Sequence, residues 1–109
     1  MSGEKNPLAG STTLLVLSLL AQKDMYGYQM IAELEERMDR TFSMKEGTLY
    51  PILHALEKGK YLSSYQQEAP TGRVRKYYHV TRRGLELLSE KKAEWEQFSH
   101  GVDQVLSFS

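Results

Sequence analysis

Cysteine is absent from this 109-residue chain. That excludes disulfides, thiolate nucleophiles and all-cysteine zinc sites, and it suits a reducing compartment. The three histidines, His54, His79 and His100, are scattered and form no i,i+4 ligand pair. There is no glycine-rich phosphate loop and no recognisable arrangement of Ser, His and Asp. The chain is therefore read as neither an enzyme nor a metalloprotein, and no cofactor is expected. Long apolar runs are missing as well. The stretch Leu14 to Leu20 is broken by Ser18 and falls far short of the ~20 residues that span a bilayer. No basic segment followed by an apolar core and a small-residue cleavage site opens the chain, so no secretory signal is expected. The expected location is the cytoplasm. Neither an internal repeat nor a low-complexity stretch is found.

What is present describes one globular domain of ordinary size. Apolar residues make up 40% and charged residues 26% of the chain, which separates it from disordered tails. So short a chain leaves much of its surface exposed, and a partner subunit is expected. Fourteen bases balance fourteen acids overall, but the balance is uneven along the chain. Residues 1–36 carry a net charge of −3, residues 37–83 carry +6, and residues 84–109 carry −3. A basic block between acidic flanks is a weak footprint of a polyanion partner when it stands alone.

Residues 1–7 are polar, end in Pro7, and read as a flexible lead-in. From Leu8 to Lys23 the pattern is helical, and Leu14, Leu15, Val16, Leu17, Leu19 and Leu20 leave almost no polar face. Such a helix must be covered on two sides, one of them by a second subunit. A second helix is expected over about Tyr26 to Arg40, capped by Asp24. Its inner face would carry Gly27, Ile31, Leu34 and Met38, and its outer face the pairs Glu33–Arg37 and Glu36–Arg40. Ser43-Met44-Lys45-Glu46 matches a capping box for a third helix, in which Leu49, Ile52, Leu53 and Leu56 share one face. Gly47, Pro51, His54 and Lys58 point the other way. Pro51 is awkward there, because it deletes a helical hydrogen bond; Gly59 offers a stop. Two strands, about Tyr61–Glu68 and Arg73–Val80, are separated by a Pro/Gly hairpin tip. Val74, Lys76, Tyr78 and Val80 would share one face of the second strand, and Arg73, Arg75, Tyr77 and His79 the other. Thr81 caps a last helix, where Leu88, Lys91, Trp95, Phe98, Val102 and Val105 form a heptad seam. Its opposite face carries Glu86, Glu90 and Glu94.

This order gives the fold class: mainly α with a small β-hairpin, a winged helix-turn-helix with an added C-terminal helix. Residues 1–7 form the lead-in, 8–80 the DNA-binding domain and 81–109 the dimerisation helix. A groove-reading helix needs a polar, exposed N-terminal half, and a basic hairpin tip can reach flanking phosphates. The basic block spans both elements. Double-stranded DNA thus becomes the leading partner.

Three segments carry a resemblance. Tyr26-Gly27-Tyr28, the string Glu46-Gly47-Thr48-Leu49-Tyr50-Pro51-Ile52-Leu53-His54-Ala55-Leu56-Glu57, and Arg75-Lys76-Tyr77-Tyr78-His79-Val80-Thr81 with Gly84 resemble the PadR-like transcriptional regulators. The resemblance covers about residues 8–106, and the Gly-Thr-Leu-Tyr-Pro string is its most specific part. With a single C-terminal helix, the chain looks like the short branch of that family. The resemblance implies a homodimeric DNA-binding repressor, often relieved by a small aromatic effector, and a third helix that tolerates Pro51. Lys45, Gly47, Thr48, Tyr50 and His54 match the groove-reading region, with Arg73, Arg75 and Lys76 on the wing. For Gly47 the plain alternative is a small residue at a crowded turn. Tyr26, Tyr77 and Tyr78 are read as core or edge packing.

Trp95, the sole tryptophan, lies mid-seam. In a twofold dimer it would face its mate, either as a packing anchor or as one wall of a slot for a planar aromatic effector, with Leu8, Ser11 and Leu15 as further walls. Leu14, Leu88, Trp95, Phe98, Val102 and Val105 are the expected dimer contacts. The competing function is a winged-helix module that binds protein without DNA or effector. A metal-responsive winged-helix regulator is disfavoured by the absence of Cys and of a His cluster.

Overall fold

The computed structural model describes residues 7–107, with side chains from residue 11 onward. The elements are α1 (Pro7–Gln22), β1 (Met25–Tyr26), α2 (Gly27–Arg37), α3 (Glu46–Lys58), β2 (Leu62–Glu68), β3 (Val74–Val80) and α4 (Arg82–Leu106). The fold is the expected winged helix-turn-helix, mainly helical, with one addition. The hairpin gains a third strand, giving an antiparallel sheet of order β1-β3-β2. Two residues, Met25 and Tyr26, pair with Tyr78 and Tyr77; a run that short leaves no alternation to read in a sequence.

One core unites all elements. Val16, Leu17, Leu19 and Leu20 of α1 meet Met25, Met30 and Leu34, Leu49, Leu53 and Leu56 of α3, Leu62, and Tyr78 and Val80 of β3. Met44, just ahead of α3, is also buried and tethers the turn between α2 and α3. No polar or charged side chain is fully buried among the described residues, so hydrophobic burial and not buried polar bonding holds this core. The inner face of α2 is Gly27, Met30 and Leu34, rotated slightly from the expected set, with Ile31 half-buried at its margin.

Helix ends differ most from expectation. Asp24 does not cap α2; Tyr26 occupies that position without a side-chain bond. The expected capping box at Ser43 and Glu46 does not form either, because Lys45 is the N-cap and Glu46 is already the first helical residue. Helix α2 stops at Arg37 and not at Arg40. The Arg40 amide bonds the Glu35 carbonyl and the Asp39 amide bonds that of Glu36. The same pattern ends α3: the Tyr61 amide reaches Leu56 and the Lys60 amide reaches Glu57. Both are Schellman closures, which need a left-handed residue after the cap. Asp39 (φ 51°) and Lys60 (φ 69°) take that conformation where glycine is customary. Gly59 is the C-cap where α3 stops, as expected, but with an ordinary φ of −82°, so the left-handed residue of the closure is the next one, Lys60.

Thr81 does cap α4. Its Oγ1 accepts the Gly84 amide at 3.1 Å while its hydroxyl donates to the Lys60 and Tyr61 carbonyls at 2.8 and 3.0 Å. Gly84 packs so tightly here that a Cβ would overlap the Tyr61 carbonyl oxygen and sit 2.6 Å from Val80 Cγ2. Two substitutions should therefore move stability in opposite directions. Gly84→Ala forces backbone apart and should cost about 1–3 kcal/mol. Lys60→Gly relieves a left-handed lysine and should gain up to about 1 kcal/mol. Urea unfolding of both variants checks this; a neutral Gly84→Ala would refute the close-packed junction.

Candidate nucleic-acid interface

Helix α3 divides cleanly. Leu49, Leu53 and Leu56 are buried, so the opposite side must face water. Lys45, Glu46, Gly47, Thr48, Tyr50, Pro51 and His54 are exposed along it. Pro51 is the sixth residue of α3, and the helix continues through it. The hydrogen bond it removes would have gone to the Gly47 carbonyl. A Cβ on Gly47 would meet nothing within 4 Å, so crowding within the protein does not explain this glycine.

The wing tip is built by Ala69-Pro70-Thr71-Gly72. The Gly72 amide bonds the Ala69 carbonyl at 2.8 Å, and the Ala69 amide bonds Arg73 at 2.7 Å. Gly72 adopts φ 91°, which a side chain would resist. Arg73 and Val74 project from this tip, Val74 being 66% exposed.

Strand β3 alternates as its sequence predicts. Tyr78 and Val80 face the core, and Lys76 on the same side reaches Glu57 of α3 at 3.2 Å. Ser64 also donates to Glu57. The Ser64 bond first and the Lys76 ammonium second hold the Glu57 carboxyl below its ordinary range, and the bond to Glu57 raises Lys76. Lys76 is thus a strut between wing and α3. On the outer side, Tyr65, Tyr77 and Tyr26 lie abreast across the three strands. Tyr65 stacks on Tyr77 at 5.7 Å, and Tyr26 meets Tyr77 edge-on at 5.3 Å. The Arg75 guanidinium lies 5.2 Å from the Tyr26 ring centre.

Packing between elements gives the motif residues further roles. Gly27 leaves room for the Tyr50 ring, since a Cβ there would collide with its hydroxyl. Tyr28 hydrogen-bonds Glu46, which raises the Tyr28 phenol. Burial foremost, then the Glu46 charge, raises Tyr50, against the opposing pull of Arg75. Among the described residues no group of three His, Asp or Glu is placed to hold a metal.

This arrangement has close counterparts. The sequence profile of the Transcriptional regulator PadR-like family matches residues 16–90. The chain belongs to the PadR-like family. A PadR-like transcriptional regulator of Bacillus cereus superposes with a TM-score of 0.78 at 32% identity, over 91% of this chain and 94% of that one. A Streptococcus transcriptional regulator gives 0.80 at 31% identity, over 92% and 96%. A transcriptional regulator of Mycobacterium tuberculosis is 32% identical over 89 residues, 82% of this chain and 79% of its own. The PadR-like chain is thereby a transcriptional regulator and not an enzyme.

In this PadR-like chain α1 packs along α4. Leu15 and Leu88 are partly buried against the core, and Leu14 and Ser11 are half-buried. Beyond Leu88 the seam runs into solvent. Phe98 is half-buried, while Trp95 is 38%, Val102 38% and Val105 70% exposed. Trp95 tilts against Phe98 at 6.0 Å. The side chain of Leu8 lies outside the described residues.

Asp24, expected as a helix cap, instead pins the sheet. It accepts from the Tyr65 hydroxyl at 2.5 Å and meets His79 Nδ1 at 2.9 Å. Burial would raise its carboxyl, but the Tyr65 and His79 bonds outweigh that and hold it low. The Asp24 bond pushes the Tyr65 phenol up to about 12. Because the folded value lies above the unfolded one, Tyr65 should contribute stability in full below pH ~10, lost as pH climbs towards 12. In Asp24→Asn a tyrosine absorbance titration should show one phenol returning towards the ordinary range. An unchanged titration would remove this bond from the account.

Proposed function

We propose that this PadR-like chain is a homodimeric, sequence-specific DNA-binding repressor, released by a small planar aromatic effector at the dimer interface. The observation that carries DNA binding is the shared exposure of the polar face of α3 and the basic wing. Lys45, Thr48, Tyr50 and His54 on α3 and Arg73 on the wing are exposed. Among the described residues no ion pair engages Lys45, Arg73 or Arg75, so their charge is free for phosphate. Gly47 fits the same reading, because the open space beside it admits a close backbone approach to DNA. Base reading falls to the N-terminal half of α3 and backbone contact to the wing. Lys76, held by Glu57, supports the wing and adds charge at its base.

Dimerisation is assigned to residues 81–109 together with α1, and DNA binding to residues 8–80, residues 1–7 serving as a lead-in. The support is the graded exposure along α4, apolar yet uncovered from Trp95 to Leu106. Leu14, Leu88, Trp95, Phe98, Val102 and Val105 are the proposed contacts. Paired across a twofold axis, two indoles with Leu8, Ser11 and Leu15 would bound an aromatic slot. No described helix is long and apolar enough to cross a membrane; a DNA-binding role fits the cytoplasm.

Sedimentation should report a dimer at micromolar concentration, and Trp95→Glu should shift it towards monomer; a monomeric wild type would end the dimer proposal. Arg73→Ala should weaken binding to every duplex and flatten the log-affinity against log-salt slope by about one unit. Half-sites should lie ~10 bp apart or at a multiple of it. Genome-wide capture of bound DNA, repeated with flat aromatic compounds, tests the whole reading. Release of DNA with quenching of Trp95 fluorescence supports the effector. Capture of no DNA would favour a protein-binding module.

A further inference from the structure

Along the exposed face of α3, from Lys45 to His54, Glu46 is the sole acid. It is the first residue of the helix, and its side chain is exposed. No ion pair engages it among the described residues. Its partner is the Tyr28 hydroxyl, which donates to it from the first turn of α2, and its charge also reaches the Tyr50 phenol. The other carboxylate of α3, Glu57, is engaged by Lys76 and Ser64. Glu46 and Tyr28 border an open recess of about 500 Å³ that Glu35, Lys45 and Gly47 also line. The recess thus holds two acids and one base. A surface that meets a polyanion loses affinity for each carboxylate left uncompensated. An ionised carboxylate donates nothing and offers about four lone-pair sites. Tyr28 takes one of them, and the others are open to a donor from outside. A glutamate in a first helical turn also complements the helix dipole, but that role alone would make its removal cost stability and nothing else.

We propose that Glu46 is a specificity-determining residue that selects cytosine in the major groove, and that Tyr28 is the positioning residue that aims it. The inference rests on the DNA-binding reading and supplies a base preference which that reading leaves open. The chemistry is narrow. In the major groove only the amino groups of cytosine, N4, and adenine, N6, donate hydrogen bonds. Adenine sets N6 beside the N7 acceptor, which repels a second acceptor, so a carboxylate suits cytosine and an amide suits adenine. Guanine N7 and O6 and thymine O4 are acceptors and are rejected. The same charge also selects by exclusion. Away from a cytosine it meets only acceptors and phosphates, so wrong sequences bind worse. Tyr28 belongs to a different helix, and its hydroxyl restricts the rotamers of an otherwise free side chain.

Selection from a random duplex library tests this with wild type, Glu46→Gln, Glu46→Ala and Tyr28→Phe, followed by anisotropy titration of the selected site and of a scrambled duplex. Glu46 and Tyr28 are both exposed, so all three variants are expected to fold, which their unfolding midpoints check. Wild type should select a C·G pair at one position of each half-site. Glu46→Gln should change that position to A·T, since glutamine pairs N6 and N7 of adenine, and leave the other positions as they are. Glu46→Ala should lose roughly tenfold in discrimination at that position. It should also bind the scrambled duplex more tightly than wild type does, because a like charge has gone. Tyr28→Phe should weaken the same preference and no other. A helix-dipole role does not produce tighter non-cognate binding together with a lost base preference. The same selected site for wild type, Glu46→Gln and Glu46→Ala would overturn the assignment, as would weaker binding of every duplex by both variants without a change of site. A full wild-type preference in Tyr28→Phe would overturn the positioning role. A wild type that selects no duplex overturns the DNA-binding reading and the base preference with it, whereas an unchanged site overturns the preference alone.

Discussion

The contact on which the other elements depend is the one between Tyr61, Thr81 and Gly84. Four hydrogen bonds and one steric constraint meet within a few ångströms. The Tyr61 amide closes the end of α3 on Leu56, and the Tyr61 carbonyl receives both the Thr81 amide and the Thr81 hydroxyl. Thr81 then caps α4 through Gly84. Arg83 tightens the same corner by donating to the Gly59 carbonyl at 3.0 Å and lying over the Tyr61 ring at 4.6 Å. The end of α3, the outset of the wing and the start of α4 thus share one joint. The backbone bonds and the close approach of Gly84 to Tyr61 hold α4 in one direction relative to α3 and the wing. In a dimer joined through α4, this joint would convert a change of interhelical geometry into a change of spacing between two reading heads.

The sheet extends the same logic on the other side. Asp24, in the turn after α1, reaches β2 through Tyr65 and β3 through His79. The row of Tyr26, Tyr77 and Tyr65 fills the outer face, with cross-strand aromatic pairs that stabilise a short sheet. The strut from Lys76 to Glu57 then fixes the wing against α3. That pair is exposed and by itself contributes at most about 1 kcal/mol, so its value lies in alignment more than in stability. A wing held by its register and a tyrosine row carries the half-buried Arg75 at a defined place against Tyr26.

How much of this was legible in the residues follows from which forces leave periodic traces. The apolar faces of α1 and α3 and the alternation of β3 read correctly, because burial imposes periods of 3.6 and 2 on composition. The hairpin tip and the Thr81 cap were also legible, since turn and cap chemistry restrict residue type. Four features were not. The strand β1 is too short to alternate. Asp24 has the residue type of a cap and serves a long-range bond, a choice settled by a partner 41 positions away. The Ser43–Glu46 pattern matches a capping box but none forms, since Lys45 is the N-cap and Met44 is buried in the core. The Schellman closures place Asp39 and Lys60, and no glycine, at their left-handed positions; aspartate tolerates that conformation and lysine rarely adopts it. At the interface itself, the exposed residues of α3 and the wing followed from pattern and resemblance. The seating of Tyr50 under Gly27 is a tertiary fact with no one-dimensional trace.

The zero net charge acquires a physical meaning once the elements are placed. The described acids of the N-terminal flank lie in the turn after α1 and on α2, those of the C-terminal flank along α4, and the bases of the middle block between the end of α2 and the start of α4. Uneven charge along the chain favours some orientations towards a polyanion over others. The apolar stretch of α4 fits that division. At 1.5 Å per residue its 25 residues run about 37 Å, and they account for most of the 54 Å long axis of the molecule. Covering Trp95, Phe98, Val102, Val105 and Leu106 would contribute roughly 1.5–3 kcal/mol for each side chain that passes from full exposure to burial. These side chains start only partly exposed, so each gives a fraction of that, but a twofold contact counts every one twice. The sum is then comparable with the estimated 4–15 kcal/mol cost of joining two bodies. Pairing through α4 would then lie near balance.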